Sequence, residues 1–253
     1  MSGSKPRRKA TKRKRRSGHK KSRLRVWLWA VLSALLVVGA GVGWWRYHRY
    51  FRPIPAGARM DGIDVSRYQS EINWHDVAGV DAVHFVMVKA TEGATEQDRF
   101  FHENVWQARE EGLHVGAYMV YSPLSSPDEQ FRNFRDYVKD AELDLIPCID
   151  VEENVSREKL TQNVMRIVEL MEAHYGKKPL LYVNAHVYND YFHPVAAGCE
   201  LWIPNYSRKP AIRGDERPFI WQYSDVGRLP GIDGDVDLDC FVNGMTVDRL
   251  RLR

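Results

Sequence analysis

The sequence predicts an α/β fold: a (β/α) barrel, less regular in its second half, preceded by a single transmembrane helix. Three observations predict it. From Asp61 onward, apolar and β-branched runs alternate with helical patterns. Several of those runs are apolar on both faces, as strands are when helices cover a parallel sheet. The late runs follow one another with shorter connections, so the helix layer thins towards the end.

The amino terminus differs sharply from the rest. The 253-residue chain has a formal net charge of +4, yet residues 1–60 contain no Asp or Glu and hold 17 of its 37 Lys and Arg. That leaves 20 cations against all 33 acids in residues 61–253, a net of −13. An acidic main domain argues against nucleic acid as a partner, because phosphate contacts need Lys and Arg on the binding face. Residues 1–25 form a basic tail with thirteen cations. Residues 26–45 (VWLWAVLSALLVVGAGVGWW) carry no charge; at ~1.5 Å per residue such a helix is about 30 Å long, the thickness of a bilayer core. Trp27, Trp29, Trp44 and Trp45 lie at its two ends, where aromatic rings favour the membrane interface. Cations concentrated before the span place the amino terminus in the cytoplasm and the rest outside, in the periplasm or the extracellular space. A cleaved signal peptide is the alternative, but the apolar run is long and lacks a clear A-x-A site. Residues 46–60, with Pro53, Pro55 and Gly57, read as a connector. Residues 61–253 form one domain.

Within it the strands are expected at 61–66, 83–91, 114–121, 145–152, 179–184, 200–206, 219–224 and 235–242. Helical patterns occupy 100–111, 128–141 and 156–175. The last has Leu160, Val164, Ile167, Val168 and Met171 on one face and begins at a capping-box-like Ser156. Cys148, Cys199 and Cys240 are too few for a disulfide scaffold, although one bridge, for example Cys199–Cys240, is compatible with export.

In such barrels the site gathers at the carboxyl ends of the strands. Those ends are rich in acids and aromatics: Asp61 and Asp64, Lys89 and Glu92, Tyr118 and Tyr121, Asp150 and Glu152, Trp202, Trp221 and Tyr223, and Asp237. Carboxylates beside an aromatic wall suit a sugar-binding cleft, where rings stack on aromatics and acids bond hydroxyls. Asp150 and Glu152 lie on one face of a strand, roughly 6.6 Å apart along it. Two like charges so close cannot both ionise freely, so one pKa should rise. That division suits glycoside cleavage, with one acid for the leaving oxygen and one carboxylate facing the developing cation.

An ordered series of motifs goes further. DGIDVSRYQ (61–69), NW (73–74), VMVKATEG (86–93), Asp98 with Phe101 and Asn104, and EGLHVGAY (111–118) are followed by PCIDVE (147–152) and LYVN (181–184). LWIPNY (201–206), WQYS (221–224) and VDLDCF (236–241) complete it. Together they resemble the glycoside hydrolase family 25 lysozymes over about 61–243. The resemblance implies an irregular TIM-like (β/α)5(β)3 barrel and an N-acetylmuramidase. Such an enzyme cuts the β-1,4 bond between N-acetylmuramic acid and N-acetylglucosamine in peptidoglycan, in wall remodelling or lysis, without a cofactor. Carried over by motif, Glu152 would be the general acid and then base, and Asp150 would orient or stabilise the 2-acetamido group if that group attacks the anomeric carbon. Asp64 is the other essential carboxylate, as nucleophile or electrostatic support. Asp61, Asp237, Tyr118, Trp202, Trp221 and Tyr223 would bind substrate, with a structural acid holding the first strand as the equal alternative for Asp61. Members often read GAYHF where this chain has GAYMVY, and Met119 in place of the common His implies altered subsite packing.

Competing signals are weaker. Asp233, Asp235, Asp237 and Asp239 alternate, but an EF-hand fails at Leu238 and Gly244. His186, Asp190 and His193 share a helix face without a convincing third ligand, so no metal is expected. No GxSxG elbow surrounds Ser122, Ser125 or Ser126. A non-catalytic glycan-binding module and a chitinase-like hydrolase remain the other readings. The sequence sets no oligomeric state.

Overall fold

The computed structural model describes residues 18–50, 54–152, 156–214 and 216–252. Most of the basic tail, connector residues 51–53 and the Trp45 side chain lie outside the described residues. The chain divides into two units, Met1–Phe51 and Arg52–Arg253. In the first, helix α1 runs over Gly18–Tyr50. Its stretch Arg25–Trp44 has a mean hydropathy of 2.1, and none of it is buried.

The second unit is the barrel. Its elements, in order, are β1 (Gly62–Val65), α2 (Trp74–Ala78), β2 (Phe85–Glu92), β3 (Glu96–Gln97), α3 (Phe101–Glu110), β4 (His114–Val120), α4 (Pro127–Val138) and β5 (Cys148–Val151). Then come α5 (Arg157–Tyr175), β6 (Leu180–Val183), α6 (Ala185–Val187), β7 (Glu200–Pro204), β8 (Phe219–Gly227), β9 (Val236–Val242) and α7 (Val247–Leu250). The strand order β1-β9-β8-β7-β6-β5-β4-β2 closes through β1–β2, giving eight strands, with β3 as a short hairpin arm on β2. Every barrel pairing is parallel except β8–β9 and β9–β1. Helical segments follow β1, β2 (after the β3 arm), β4, β5 and β6, whereas β7, β8 and β9 succeed one another. This is the (β/α)5(β)3 arrangement, and each of the eight expected strands is present.

Strand alternation builds two apolar layers. Phe85, Met87, Cys148, Leu180 and Ile220 point inward and pack with Leu145, Met245 and Leu250. The carboxyl-terminal segment belongs to this plug: Ile146 N–H donates to Leu250 O at 2.7 Å and Leu252 N–H to Asp144 O at 2.8 Å. Gly62 and Gly116 also face inward, because a Cβ there would strike Phe85 or Met87 respectively. The alternate residues Val86, Val88, Val115, Ala117 and Ile149 pack outward with Leu160, Val164, Ile167, Val168 and Met171 of α5. The expected face of α5 is thus the buried one.

Some local expectations fail. Ser156 precedes α5 without a side-chain cap, and Lys159 stands where a capping box needs Glu or Gln. True capping boxes form at Ser66–Gln69, before a 3-10 turn over Arg67–Gln69, and at Ser126–Glu129, which starts α4 at Pro127. All three cysteines are buried and unbridged, so the Cys199–Cys240 pairing is absent.

Candidate active site

The carboxyl ends of the strands surround a cleft of about 450 Å³. Asp64 comes from β1, Tyr118 from β4, Asp150 from the end of β5 and Glu152 from the residue after Val151. Tyr182, Trp202, Gln222 and Asp237 come from β6, β7, β8 and β9. All of these side chains take the inward side of the strand alternation. Tyr118 and Tyr182 meet the Trp202 ring edge-on, with centroids 6.3 and 5.0 Å away. Together they form an aromatic wall beside the acids. The 3-10 turn brings Ser66, Tyr68 and Gln69 to the rim, where Tyr68 is 75% exposed.

Asp64 is held by a connected set of hydrogen bonds. Gln222 Nε2 donates to Asp64 Oδ2 at 2.7 Å, while Gln222 Oε1 accepts from Tyr182 and Tyr206 hydroxyls, each at 2.9 Å. Both phenols are pushed up by burial and remain donors. The Gln222 amide therefore has a single orientation. Lys89, the one cation among the described lining residues, donates to Glu92 Oε2 at 2.7 Å.

Burial, then the charge of Asp239, then that of Asp150 raise the Asp64 carboxyl well above the usual range, against the Gln222 hydrogen bond. Asp237 is pushed up to about 9 by burial, Asp64 and Asp225. Asp150 is raised well above the usual range by burial and then by Glu152, with Lys89 opposing. The rise expected within the Asp150–Glu152 pair thus falls on Asp150. Asp150 Oδ1 is buried with no hydrogen-bond partner among the described residues, whereas Glu152 is exposed.

Four sequence expectations are corrected. Asp61 lies at the opposite end of β1 from the cleft; its Oδ2 accepts Phe241 N–H at 2.8 Å and its Oδ1 sits 3.1 Å from Arg59. Trp221 and Tyr223 are on the outward side of β8, buried in the layer beneath the helices. The Trp221 indole donates to Asn205 O at 2.7 Å, away from the cleft. The inward residue of WQYS is Gln222, which strict alternation from Ile220 would have identified. Met119 also packs outward, so this departure does not alter the subsites.

A test separates the two tryptophans. Trp221→Ala is expected to cost roughly 3–5 kcal/mol of stability, with the KM of the folded protein unchanged; Trp202→Ala should raise KM. Thermal unfolding and steady-state kinetics read the two effects.

The family model for glycosyl hydrolases family 25 matches residues 63–232. The chain belongs to glycosyl hydrolase family 25. The protein YegX of Escherichia coli K12 is 37% identical over 205 residues, 78% of this chain and 74% of YegX. Lysozyme M1 of Streptomyces globisporus is 30% identical over 211 residues, 76% of this chain and 71% of that protein. A family 25 glycosyl hydrolase from Bacillus anthracis aligns with a TM-score of 0.67 at 30% identity, over 76% of this chain and 92% of that one. A lysozyme from Streptomyces coelicolor gives 0.64 at 26%, over 77% and 96%. The family 25 match stops short of Asp237 and Asp239, which the barrel brings back beside Asp64 through β1–β9 pairing.

Proposed function

We propose that this family 25 protein is a peptidoglycan muramidase that hydrolyses the β-1,4 bond between N-acetylmuramic acid and N-acetylglucosamine. The observation that carries this reading is the convergence of Asp64, Asp150, Glu152 and Asp237 beside Tyr118, Tyr182 and Trp202 in one cleft. Lysozyme relatives support the same chemistry.

Glu152, exposed at the end of β5, reaches the glycosidic oxygen and protonates it as the bond breaks, then takes a proton from the attacking water. The unpartnered Asp150 Oδ1 accepts the N–H of the 2-acetamido group and aims its oxygen at the anomeric carbon. Asp64, fixed by Gln222, faces the positive charge that develops there. Tyr118 and Trp202 carry the sugar rings.

The helix within Gly18–Tyr50 anchors the protein as a single-pass membrane protein with its amino terminus in the cytoplasm and the barrel exported. The segments are then a tail over 1–25, a span over 26–45, a connector over 46–60 and the catalytic domain over 61–253.

Full-length protein in detergent should release soluble muropeptides from purified peptidoglycan and leave chitin oligosaccharides uncut. Tight binding without release would favour a glycan-binding module; cleavage of chitin would favour a chitinase-like hydrolase. Deleting residues 1–45 should move the protein from the membrane to the soluble fraction, and retention on the membrane would contradict the anchor.

A further inference from the structure

Asp239 lies behind the cleft rather than on its lining, and it is the most deeply buried carboxyl group among the described residues, with 0% exposure. On β9, Asp237 is paired opposite Asp64 and Asp239 opposite Gly62, so the two-residue period turns all three acids into the barrel. On its other side Asp239 is paired opposite Gln222. It therefore sits one rung below Asp64, beside Gly62, whose inward space the Phe85 ring fills.

The donors around the two carboxyls are fixed. Asp239 Oδ1 accepts the Trp202 indole N–H at 2.7 Å, and Asp64 Oδ2 accepts the Gln222 amide N–H at 2.7 Å. Neither donor can serve as an acceptor. Asp239 Oδ2 is buried and has no hydrogen-bond partner of the ordinary kind among the described residues. An unpartnered carboxylate oxygen at that depth is costly, and a proton held between it and Asp64 removes the cost.

We propose that Asp239 is a positioning residue: it shares one proton with Asp64, so that it decides when Asp64 becomes an anion, and it holds Trp202 in the cleft wall. This rests on the muramidase reading of the same cleft. The wider surroundings do not neutralise the pair. Asp237 on β9, hydrogen-bonded to Asp64 from the cleft side, and Asp225 on β8 add acids, as do Asp150 and Glu152 at the end of β5. Cys148 on β5, Tyr118 on β4 and Tyr182 on β6 are held protonated by burial. Cys240, next to Asp239 on the outward side, is pushed up to about 12 by burial. Asp61 is engaged at the far end of β1, and Lys89 on β2 is bound to Glu92. Burial and Asp239 both drive Asp64 upward, in agreement with a shared proton.

Asp239→Asn tests this. The Asn carbonyl keeps the Trp202 bond and its amide can donate to Asp64, so only the charge and the shared proton are lost. With full-length protein in detergent, the acid limb of the kcat/KM profile on peptidoglycan is expected to move to lower pH by at least about one unit, a tenfold change in proton concentration. KM at the optimum should stay within about twofold. Carboxyl-carbon NMR of the wild type should show Asp64 and Asp239 titrating in two linked steps. An active Asp239→Asn protein with an unmoved acid limb, or wild-type carboxyls that titrate independently in the usual range, would overturn the proposal. A wild type that does not cleave peptidoglycan at any pH would instead overturn the muramidase reading, and the NMR titration would still decide whether the proton is shared.

Discussion

Glu152→Gln is expected to lower kcat on peptidoglycan by roughly 10²- to 10⁴-fold, the range spanned by general acid–base catalysis. The amide cannot supply the proton that the leaving oxygen needs, nor take one from water. Little else should change. Glu152 is exposed, and none of its side-chain atoms contributes to the two apolar layers, so the unfolding temperature should not fall below the wild type. KM should move far less than kcat, because the aromatic wall is intact. The variant also has an electrostatic signature. The charge of Glu152 is the second cause that holds Asp150 high, after burial, so the Asp150 titration should shift downward in Glu152→Gln. A variant with near wild-type turnover would remove Glu152 from the chemistry.

Asp64→Asn carries the second large effect, a fall in kcat of roughly 10²- to 10³-fold, as when one fixed electrostatic group facing the transition state is lost. The Asn carbonyl can still accept the Gln222 N–H, so the side chain keeps its place while the charge and the proton shared with Asp239 go. The same substitution should stabilise the fold at neutral pH. Asp237 is pushed up to about 9, from a usual value of 3.8, partly by Asp64. A carboxyl whose folded pKa is raised binds its proton more tightly in the folded state. Its favourable contribution is therefore present at low pH and lost as pH rises from about 4 to about 9. Removing the Asp64 charge relieves this loss. The unfolding temperature of Asp64→Asn should exceed the wild type by a few degrees at pH 7, and the gap should close below about pH 4. Equal stability of the two proteins at pH 7 would contradict strained carboxyls in the cleft.

The barrel was legible because its strands are long apolar runs whose chemistry changes abruptly at the ends. LIPCI turning into Asp150 and Glu152 is a strand leaving the plug and entering the cleft, and DGIDVS is the same transition at Asp64. What failed was the assignment of faces within motifs read as blocks. In WQYS, Trp221 and Tyr223 lie on one face and Gln222 on the other, and only the strand period separates wall from core. Asp61 precedes Asp64 by three residues, which places it at the other end of the strand and out of the cleft. The strand period assigns Gln222 its face, but nothing local marks the roles of Gln222, Tyr182 and Asp239. Their importance comes from β8, β6 and β9 meeting around Asp64, a property of closure that no short stretch contains. The α7 segment and the β3 arm are too short for a periodic pattern.

The most direct test of the muramidase assignment is the identity of the sugar at the newly formed reducing end. Peptidoglycan digested by the full-length protein would be reduced with borohydride, hydrolysed and its sugar alcohols separated. Cleavage in this cleft predicts muramicitol as the new product, absent from the Glu152→Gln digest. Glucosaminitol as the new product, or muramicitol in equal amounts from both proteins, would contradict it.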